Sequence, residues 1–287
     1  MSVGSCLSAR NASAGVTTIG AALRLPELDP VDARVLLQEV LGLPHAALIA
    51  HIERVLSEAQ RRRFLALAAR RAAGEPVAYL LGWREFYGRR FAVGPAALIP
   101  RPETELLIDQ ALARLPPAAA ADVLDLGTGS GIIALTLALE RPHCVLTAVD
   151  TSADALALAR ENAQTLGVGH LELLQGDWYG PVARRAFDLI ASNPPYVADT
   201  DPHLGLGDVR FEPAAALRAG PDGLASIRHI VAQAPHYLRP NGWLLFEHGY
   251  DQGDACRRLL AEAGLVDITT AADLAELPRV SGGRKSH

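Results

Sequence analysis

Predicted strands and helices alternate along the chain from residue 121 onward. Short apolar runs, each typical of a buried strand, lie at 123–126, 145–149, 171–174, 187–191 and 243–246. Segments with helical spacing of apolar residues accompany them at 131–140, 152–166, 222–238 and 251–264. Such alternation, with strands that are apolar throughout, is typical of a parallel sheet covered by helices on both faces. The sequence therefore predicts an α/β fold with a Rossmann-like sheet.

Four polar side chains lie where the predicted strands end. They are Asp125, Asp150, Asp177 and Asn193. Ligands of open α/β sheets bind at the carboxyl ends of the strands, because the loops there meet at one edge of the sheet. We therefore expect these side chains to surround one binding site.

A glycine-rich loop joins the first of these strands to its helix. It reads Asp-Leu-Gly-Thr-Gly-Ser-Gly over 125–131, and its glycines let the backbone turn tightly and approach a ligand. The spacing differs from the Gly-x-Gly-x-x-Gly pattern of dinucleotide sites, and a glycine loop alone does not identify its ligand. The loop predicts five cofactor-binding residues: Gly127, Thr128, Gly129, Ser130 and Gly131.

Two acidic residues and an aromatic ring narrow the choice of cofactor. Asp150 ends the second strand, where an acid holds ribose hydroxyls; the alternative is that it caps the following helix. Asp177 offers an acceptor to an adenine amino group and Trp178 a ring to pack on it; the alternative is an ordinary loop pair. With the glycine loop, these residues predict a site for S-adenosylmethionine.

The tetrapeptide Asn193-Pro194-Pro195-Tyr196 follows the fourth strand. The nitrogen of an amide or arylamine is a poor nucleophile because its lone pair is delocalised, so an enzyme that methylates it needs acceptors for its N–H bonds. The Asn193 oxygen and the Pro194 carbonyl can accept them, the prolines stiffen the turn, and Tyr196 can cover the planar group. We predict that these four residues are catalytic and that Asn193 also contacts the cofactor; the alternative is an ordinary loop.

The chain before residue 101 predicts a smaller, separate domain. Asp29 and Pro30 are typical of a helix start, and a second helix is predicted from Ser57 to Gly74. Residues 1–20 are small and polar, so we expect them to be loosely ordered, and 83–93 predicts a β-hairpin. We predict a helical domain over 1–82, a β-hairpin linker over 83–100 and a catalytic domain over 101–287.

The second predicted helix carries a run of five arginines. They are Arg61, Arg62, Arg63, Arg70 and Arg71. Such a run is either a solvated helix face or a docking surface for an acidic or RNA-associated partner.

Composition argues against several classes of protein. The formal charge of −5 gives no overall basic excess with which to hold a nucleic-acid backbone. The cysteines Cys6, Cys144 and Cys256 are far apart and the histidines are scattered, so we expect no metal site. No apolar run approaches the ~20 residues of a membrane span, and no signal peptide is evident. We expect a cytoplasmic protein without membrane association.

Further segments match one family in the same order along the chain. They are residues 74–79, 84–87, 98–105, 208–213 and 247–249. With the glycine loop and the tetrapeptide, the chain resembles the HemK/PrmC family, the peptide-chain release factor glutamine N5-methyltransferases. The resemblance implies a class I S-adenosylmethionine-dependent methyltransferase sheet of seven strands, closed by 279–284, behind a helical N-terminal domain that helps to recognise the release factor.

The resemblance also implies a substrate and roles for residues. The acceptor would be the glutamine of the Gly-Gly-Gln motif in class I release factors, held by the tetrapeptide, and the protein is expected to be a monomer. Arg210, Phe211 and Glu212 would brace the fold or order the loop behind the acceptor, and Glu247 would lie near the cleft.

Two alternatives stay open. Asn-Pro-Pro-Tyr also suits the exocyclic amine of adenine, so an adenine-N6 DNA or RNA methyltransferase is the second candidate; such enzymes extrude a base and usually carry a basic recognition region. A binding module without turnover on the same scaffold is the third, although its glycine loop, Asp150 and tetrapeptide are intact.

Overall fold

The computed structural model of the protein describes residues 17–118 and 120–287. The chain divides into two compact units, one that ends at Gly82 and one from Trp83 to His287. Most of the start predicted to be loosely ordered, with Cys6, lies outside the described residues. For its last residues the prediction is wrong. Ile19 and Gly20 begin a helix, their backbone N–H groups donate to the carbonyls of Arg54 and Ile52, and Ile19 is fully buried.

The described part of the first unit is helical. Its helices are α1 (Ile19–Leu23), α2 (Pro30–Leu41), α3 (His45–Ala50), α4 (Glu58–Ala72) and α5 (Val77–Leu81). Both predicted helix starts are confirmed. The Asp29 side chain accepts from the Val31 N–H at 2.7 Å, and Ser57 and Gln60 form a reciprocal capping box. Leu36, Leu37 and Phe64 are fully buried in the core of this unit.

Each of the five arginines of α4 forms an ion pair with an acidic residue of its own unit. The pairs are Arg61 and Arg62 with Glu58, Arg63 with Glu39, Arg70 with Glu75, and Arg71 with Asp32. Exposed pairs of this kind add little stability, but they offset the positive charge that an acidic partner would meet. The pairing favours the solvated-face interpretation of the arginine run.

The second unit begins with the predicted hairpin, which is confirmed. Strands β1 (Trp83–Phe86) and β2 (Arg89–Ala92) are antiparallel, and helix α6 (Thr104–Leu112) follows. Phe86 and Phe91 are buried in the core of this unit, with ring centroids 6.1 Å apart. The hairpin therefore packs as part of the second unit.

A seven-stranded sheet forms the centre of the second unit. Its strands are β3 (Asp122–Leu126), β4 (Val145–Asp150), β5 (Leu171–Gln175), β6 (Phe187–Ser192), β7 (Leu238–Glu247), β8 (Leu265–Ala272) and β9 (Pro278–Lys285), in the order β5-β4-β3-β6-β7-β9-β8. The helices between them are α7 (Ile132–Glu140), α8 (Ala153–Leu166), α9 (Ala225–Tyr237) and α10 (Gly253–Glu262). The Rossmann-like fold class is confirmed.

The predicted parallel arrangement holds for all five strands that the apolar runs marked, β3 to β7, and of the two further strands only β9 runs in the opposite direction. Strand β9 runs antiparallel to β7 and to β8, and the pattern of apolar runs did not predict β8 at all. The physical reason is that β8 lies at the edge of the sheet and carries polar residues such as Asp267, Thr269 and Thr270, so no apolar run marks it.

Apolar side chains cover both faces of the sheet. Neighbouring strand residues enter different clusters: Val123 packs with α6 and α7, whereas Leu124 packs with α9 and α10. Among the described residues, no helix is both long and apolar enough to cross a bilayer. The sheet is thus a rigid support for the loops at its carboxyl edge.

Candidate active site

Two neighbouring cavities lie at the carboxyl ends of the parallel strands. The larger, of about 350 Å³, is lined by residues that end or follow β3, β4 and β5, among them Gly127, Asp150 and Trp178. The smaller, of about 210 Å³, is lined by Arg101, Pro194 and Tyr196 among others. Asn193 lines both cavities. The cofactor residues and the tetrapeptide predicted from the sequence therefore lie in adjoining spaces with Asn193 between them.

The glycine loop presents backbone, not side chains, to the larger cavity. Gly127 and Gly129 line it, with left-handed φ angles of 71° and 56°. A Cβ at Gly127 would lie 3.7 Å from the Trp178 ring, and one at Gly129 would lie 3.6 Å from the Cβ of Ala97. Since Trp178 and Ala97 also line the cavity, any side chain at these positions would take up its space.

The other three predicted loop residues do not line the larger cavity. Thr128 and Ser130 are buried, and Gly131 is the N-cap residue just before α7, with φ of 86°. A Cβ at Gly131 would lie only 2.9 Å from the side chain of Leu135. These three residues therefore support the conformation of the loop and do not form the wall of the cavity.

Asp125 was expected to surround the site with the other three polar residues at the strand ends, but it lines neither cavity and instead holds the loop from inside the protein. It is fully buried, and one carboxyl oxygen accepts from the Thr128 hydroxyl at 2.6 Å and from the Ala134 N–H at 3.2 Å. Its other oxygen has no hydrogen-bond partner among the described residues. Burial raises the pKa of Asp125 to about 7, and the two hydrogen bonds only partly oppose it.

Asp150 lines the larger cavity at the end of β4. One oxygen accepts from the Gly129 N–H at 2.8 Å and the other from the Ser152 N–H at 2.9 Å. The alternative that Asp150 caps the next helix is wrong, because Ser152 is the cap and accepts from the Ala155 N–H. Each carboxylate oxygen can accept further hydrogen bonds, so Asp150 can serve the loop and a ligand diol together.

Asp177 and Trp178, which follow β5, also line the larger cavity. Asp177 is exposed, and Trp178 is half-buried with a left-handed φ of 45°. The Trp178 ring packs against an apolar cluster and lies 6.1 Å from the His229 ring, measured between centroids. An acceptor and a fixed aromatic surface lie side by side, as a purine ring requires.

The tetrapeptide is tied to a buried carboxylate through hydroxyl groups. The Asn193 amide nitrogen donates to the Thr104 hydroxyl at 3.1 Å, and that hydroxyl donates to one oxygen of Glu247 at 2.7 Å. The Tyr196 phenol donates to the other oxygen at 2.9 Å. Burial, and to a lesser degree the Glu247 carboxylate, raise the pKa of Tyr196, so this phenol stays protonated and is a donor.

Contacts to its backbone carbonyl hold Tyr196, the last residue of the tetrapeptide, in place. The Gln252 amide nitrogen donates to the Tyr196 carbonyl at 3.1 Å and contacts the Gly223 carbonyl at 3.3 Å. Gly223 is buried and has a left-handed φ of 71°. A Cβ there would lie 2.3 Å from the Tyr196 carbonyl oxygen, so only glycine allows this close approach.

Gly223→Ala should therefore destabilise the protein and displace Tyr196. We expect a loss of about 1–3 kcal/mol from backbone strain alone, and a further loss because the Tyr196 carbonyl must move. The matched control is Gly167→Ala, since Gly167 has nearly the same φ, 72°, but open space around its Cβ position. Urea unfolding should show a clearly larger loss for Gly223→Ala; equal losses would contradict the steric argument.

Sequence reasoning assigned no role to two residues near the smaller cavity, Arg101 and Thr104. Arg101 lines that cavity, and Glu212, which is buried, accepts hydrogen bonds from the Arg101 side chain and from the Ile99 N–H. Glu212 thus has the bracing role predicted for its segment. Arg101 and the linking residue Thr104 both lie in the segment 98–105, whose motif match was the available signal.

Comparisons with known proteins agree with this arrangement. The family description "Methyltransferase small domain" matches residues 103–222, and "PrmC N-terminal domain" matches residues 20–82. A release factor glutamine methyltransferase of Xylella fastidiosa (strain 9a5c) is 51% identical over 257 residues, which are 90% of this chain and 94% of that protein. The release factor glutamine methyltransferase of Escherichia coli (strain K12) is 47% identical over 253 residues, 88% of this chain and 91% of that protein.

A solved structure supports the fold independently. A methyltransferase from Pyrococcus furiosus superposes with a TM-score of 0.54 at 16% identity, and the match covers 70% of this chain and 91% of that one. At this identity the likeness concerns the fold alone. The sequence identities over most of the chain go further: this protein belongs to the release factor glutamine methyltransferase family.

Proposed function

We propose that this protein transfers a methyl group from S-adenosylmethionine to the side-chain amide nitrogen, N5, of the glutamine in the Gly-Gly-Gln motif of class I peptide chain release factors. The observation that carries the proposal is that Asn193 lines both the larger and the smaller cavity. A donor in one cavity and a planar amide in the other would meet at this residue. Relatives that are 47–51% identical carry the corresponding name.

The larger cavity fits S-adenosylmethionine by its shape and chemistry. Its glycine backbone leaves room along one wall, Asp150 offers carboxylate oxygens to a ribose diol, and Trp178 offers a ring to adenine. When bound, the cofactor supplies a methyl group on a positively charged sulfur. We assign its binding to Gly127, Gly129, Asp150, Asp177, Trp178 and Asn193, with Thr128, Ser130 and Gly131 as support for the loop.

The smaller cavity provides a site for the glutamine amide that accepts the methyl group. The Asn193 oxygen and the Pro194 carbonyl can accept the two N–H bonds of a glutamine amide, which turns its lone pair toward the larger cavity. Pro194 and Pro195 fix the turn, and Tyr196 covers the planar group. The nitrogen becomes acidic only as the new N–C bond forms, so its proton can leave to solvent and a neutral acceptor such as Asn193 suffices.

Asp150→Ala should weaken the binding of S-adenosylmethionine by about 2–3 kcal/mol, since a charge-assisted hydrogen-bond pair is lost. Part of this loss will come through the Gly129 N–H, which Asp150 also holds. Calorimetric titration measures the affinity. Asp154→Ala, which removes the same charge from an exposed position of α8, is the control and should bind as wild type. Unchanged affinity in a folded Asp150→Ala protein would remove the ribose assignment.

The direct test of the proposed function is methyl transfer to a purified release factor. After incubation with enzyme and S-adenosylmethionine, mass spectrometry of the Gly-Gly-Gln peptide should show the mass of one added methyl group. A release factor in which that glutamine is replaced by alanine should gain nothing. An unmodified glutamine in the intact factor would overturn the proposal.

The same incubation, with DNA or RNA in place of release factor, tests the nucleic-acid alternative. The net charge of −5 and the acid-paired arginines of α4 give little support for binding a phosphate backbone. We infer a cytoplasmic monomer whose substrate is protein. Methyl transfer to adenine in DNA or RNA, with none to release factor, would favour the alternative.

A further inference from the structure

The hydrogen bonds that link Asn193 to Thr104 and Glu247 can form in only one donor-to-acceptor order. A carboxylate can only accept hydrogen bonds, and Glu247 receives one hydroxyl on each oxygen. The Thr104 hydroxyl has a single hydrogen, which it gives to Glu247, so toward Asn193 its oxygen can only accept. The Asn193 amide must then turn its NH₂ group to Thr104.

This order determines which end of the Asn193 amide is left for a substrate. With its nitrogen held by Thr104, the side-chain oxygen is the end that can accept from another group. The two ends of an amide are nearly equal in size, so packing alone does not choose between them. A reversed amide would point N–H bonds at the N–H bonds of the acceptor glutamine, and two donors cannot pair.

We propose that Thr104 and Glu247 are positioning residues that orient the Asn193 amide with its oxygen toward the acceptor nitrogen. This inference rests on the proposed function for the identity of the acceptor. Thr104 is fully buried and the exposed fraction of Glu247 is 1%, so water does not compete for these hydrogen bonds. Neither residue lines the two cavities, so both act through Asn193 and Tyr196.

The network also favours the charged form of Glu247 on which this order depends. Burial raises the pKa of Glu247, whereas the hydrogen bonds from Thr104 and Tyr196 lower it. Loss of the Thr104 hydroxyl therefore disturbs the orientation of the Asn193 amide in two ways. Asn193 loses its acceptor, and Glu247 loses one of the donors that stabilise its negative charge.

The kinetic test is Thr104→Val, which keeps the shape of the side chain and removes the hydroxyl. We expect kcat for release factor to fall by roughly 10- to 100-fold, with the affinity for S-adenosylmethionine and KM for release factor within about twofold of wild type. Thr104→Ser restores the hydroxyl and should restore most of kcat. Glu247→Gln, which has one acceptor in place of two, should also lower kcat with little change in KM.

The matched control is Thr136→Val. Thr136 is equally buried in the same unit, and its hydroxyl has no hydrogen-bond partner among the described residues. The same loss of a buried hydroxyl at this position should leave kcat at the wild-type value. Thermal unfolding of all variants verifies that they are folded.

A second readout does not depend on activity. The chain has four asparagines, Asn11, Asn162, Asn193 and Asn241, so selective ¹⁵N labelling of asparagine gives four side-chain amide signals. The Asn193 signal, assigned with Asn193→Asp, should shift in Thr104→Val and Glu247→Gln and keep its position in Thr104→Ser and Thr136→Val.

The outcomes separate this inference from the proposed function. A wild-type enzyme that does not methylate release factor overturns the proposed function, and with it the acceptor that the amide is said to face. A wild-type enzyme that methylates it, with Thr104→Val as active as Thr136→Val or with an unshifted Asn193 amide, overturns the positioning role alone.

Discussion

Asn193→Ala should lose turnover by roughly 100-fold or more while it keeps most of its affinity for S-adenosylmethionine. Removal of a group that orients the reacting nitrogen costs rate, because the acceptor must then find the reactive geometry by chance. The affinity should persist because Gly127, Asp150 and Trp178 still line the larger cavity. Single-turnover methylation of release factor and calorimetric titration of the cofactor measure the two quantities separately.

The control for this variant removes an amide at the same edge of the sheet. Gln175 ends β5 and is exposed, its side chain donates to the Thr151 carbonyl, and it lines neither cavity. Gln175→Ala should methylate release factor at the wild-type rate. An Asn193→Ala enzyme that binds the cofactor and turns over nearly as well as Gln175→Ala would move the catalytic role to another residue.

The sequence predicted those parts of the site whose positions follow from strand ends. The carboxyl ends of parallel strands meet at one edge, so Asp150, Asp177 and Asn193 could be placed together from apolar runs and spacing alone. The confirmed helix starts at Asp29 and Ser57 are equally local, since a cap depends on residues two or three positions away.

What the sequence did not predict depends on contacts between distant residues. Thr104 and Glu247 are 143 positions apart and become neighbours only through the packing of α6 beside β7. Arg101 and Glu212 meet across 111 positions. Strand β8 was missed because an edge strand with one exposed side needs no apolar run. Local patterns carry no information on such pairings.

Deletion of residues 1–82 should leave a protein that binds S-adenosylmethionine within about twofold of the full chain but methylates intact release factor about 100-fold more slowly. The glutamine of a Gly-Gly-Gln motif is chemically like any other glutamine, so the smaller cavity can hardly discriminate it. Selectivity must come from contacts remote from the amide, whose binding energy orients that one side chain. The first unit, which carries the PrmC N-terminal domain match, is the candidate for those contacts.

The position of the cut follows from the structure. The hairpin of β1 and β2 buries Phe86 and Phe91 in the core of the second unit, so the shortened chain must begin at Trp83. A short Gly-Gly-Gln peptide is the control substrate, because it lacks the remote surface. Full-length and shortened enzymes should methylate this peptide at similar low rates. Equal rates on the intact factor would instead place recognition wholly in the second unit, whereas a loss on both substrates would mean that the deletion had damaged the catalytic site.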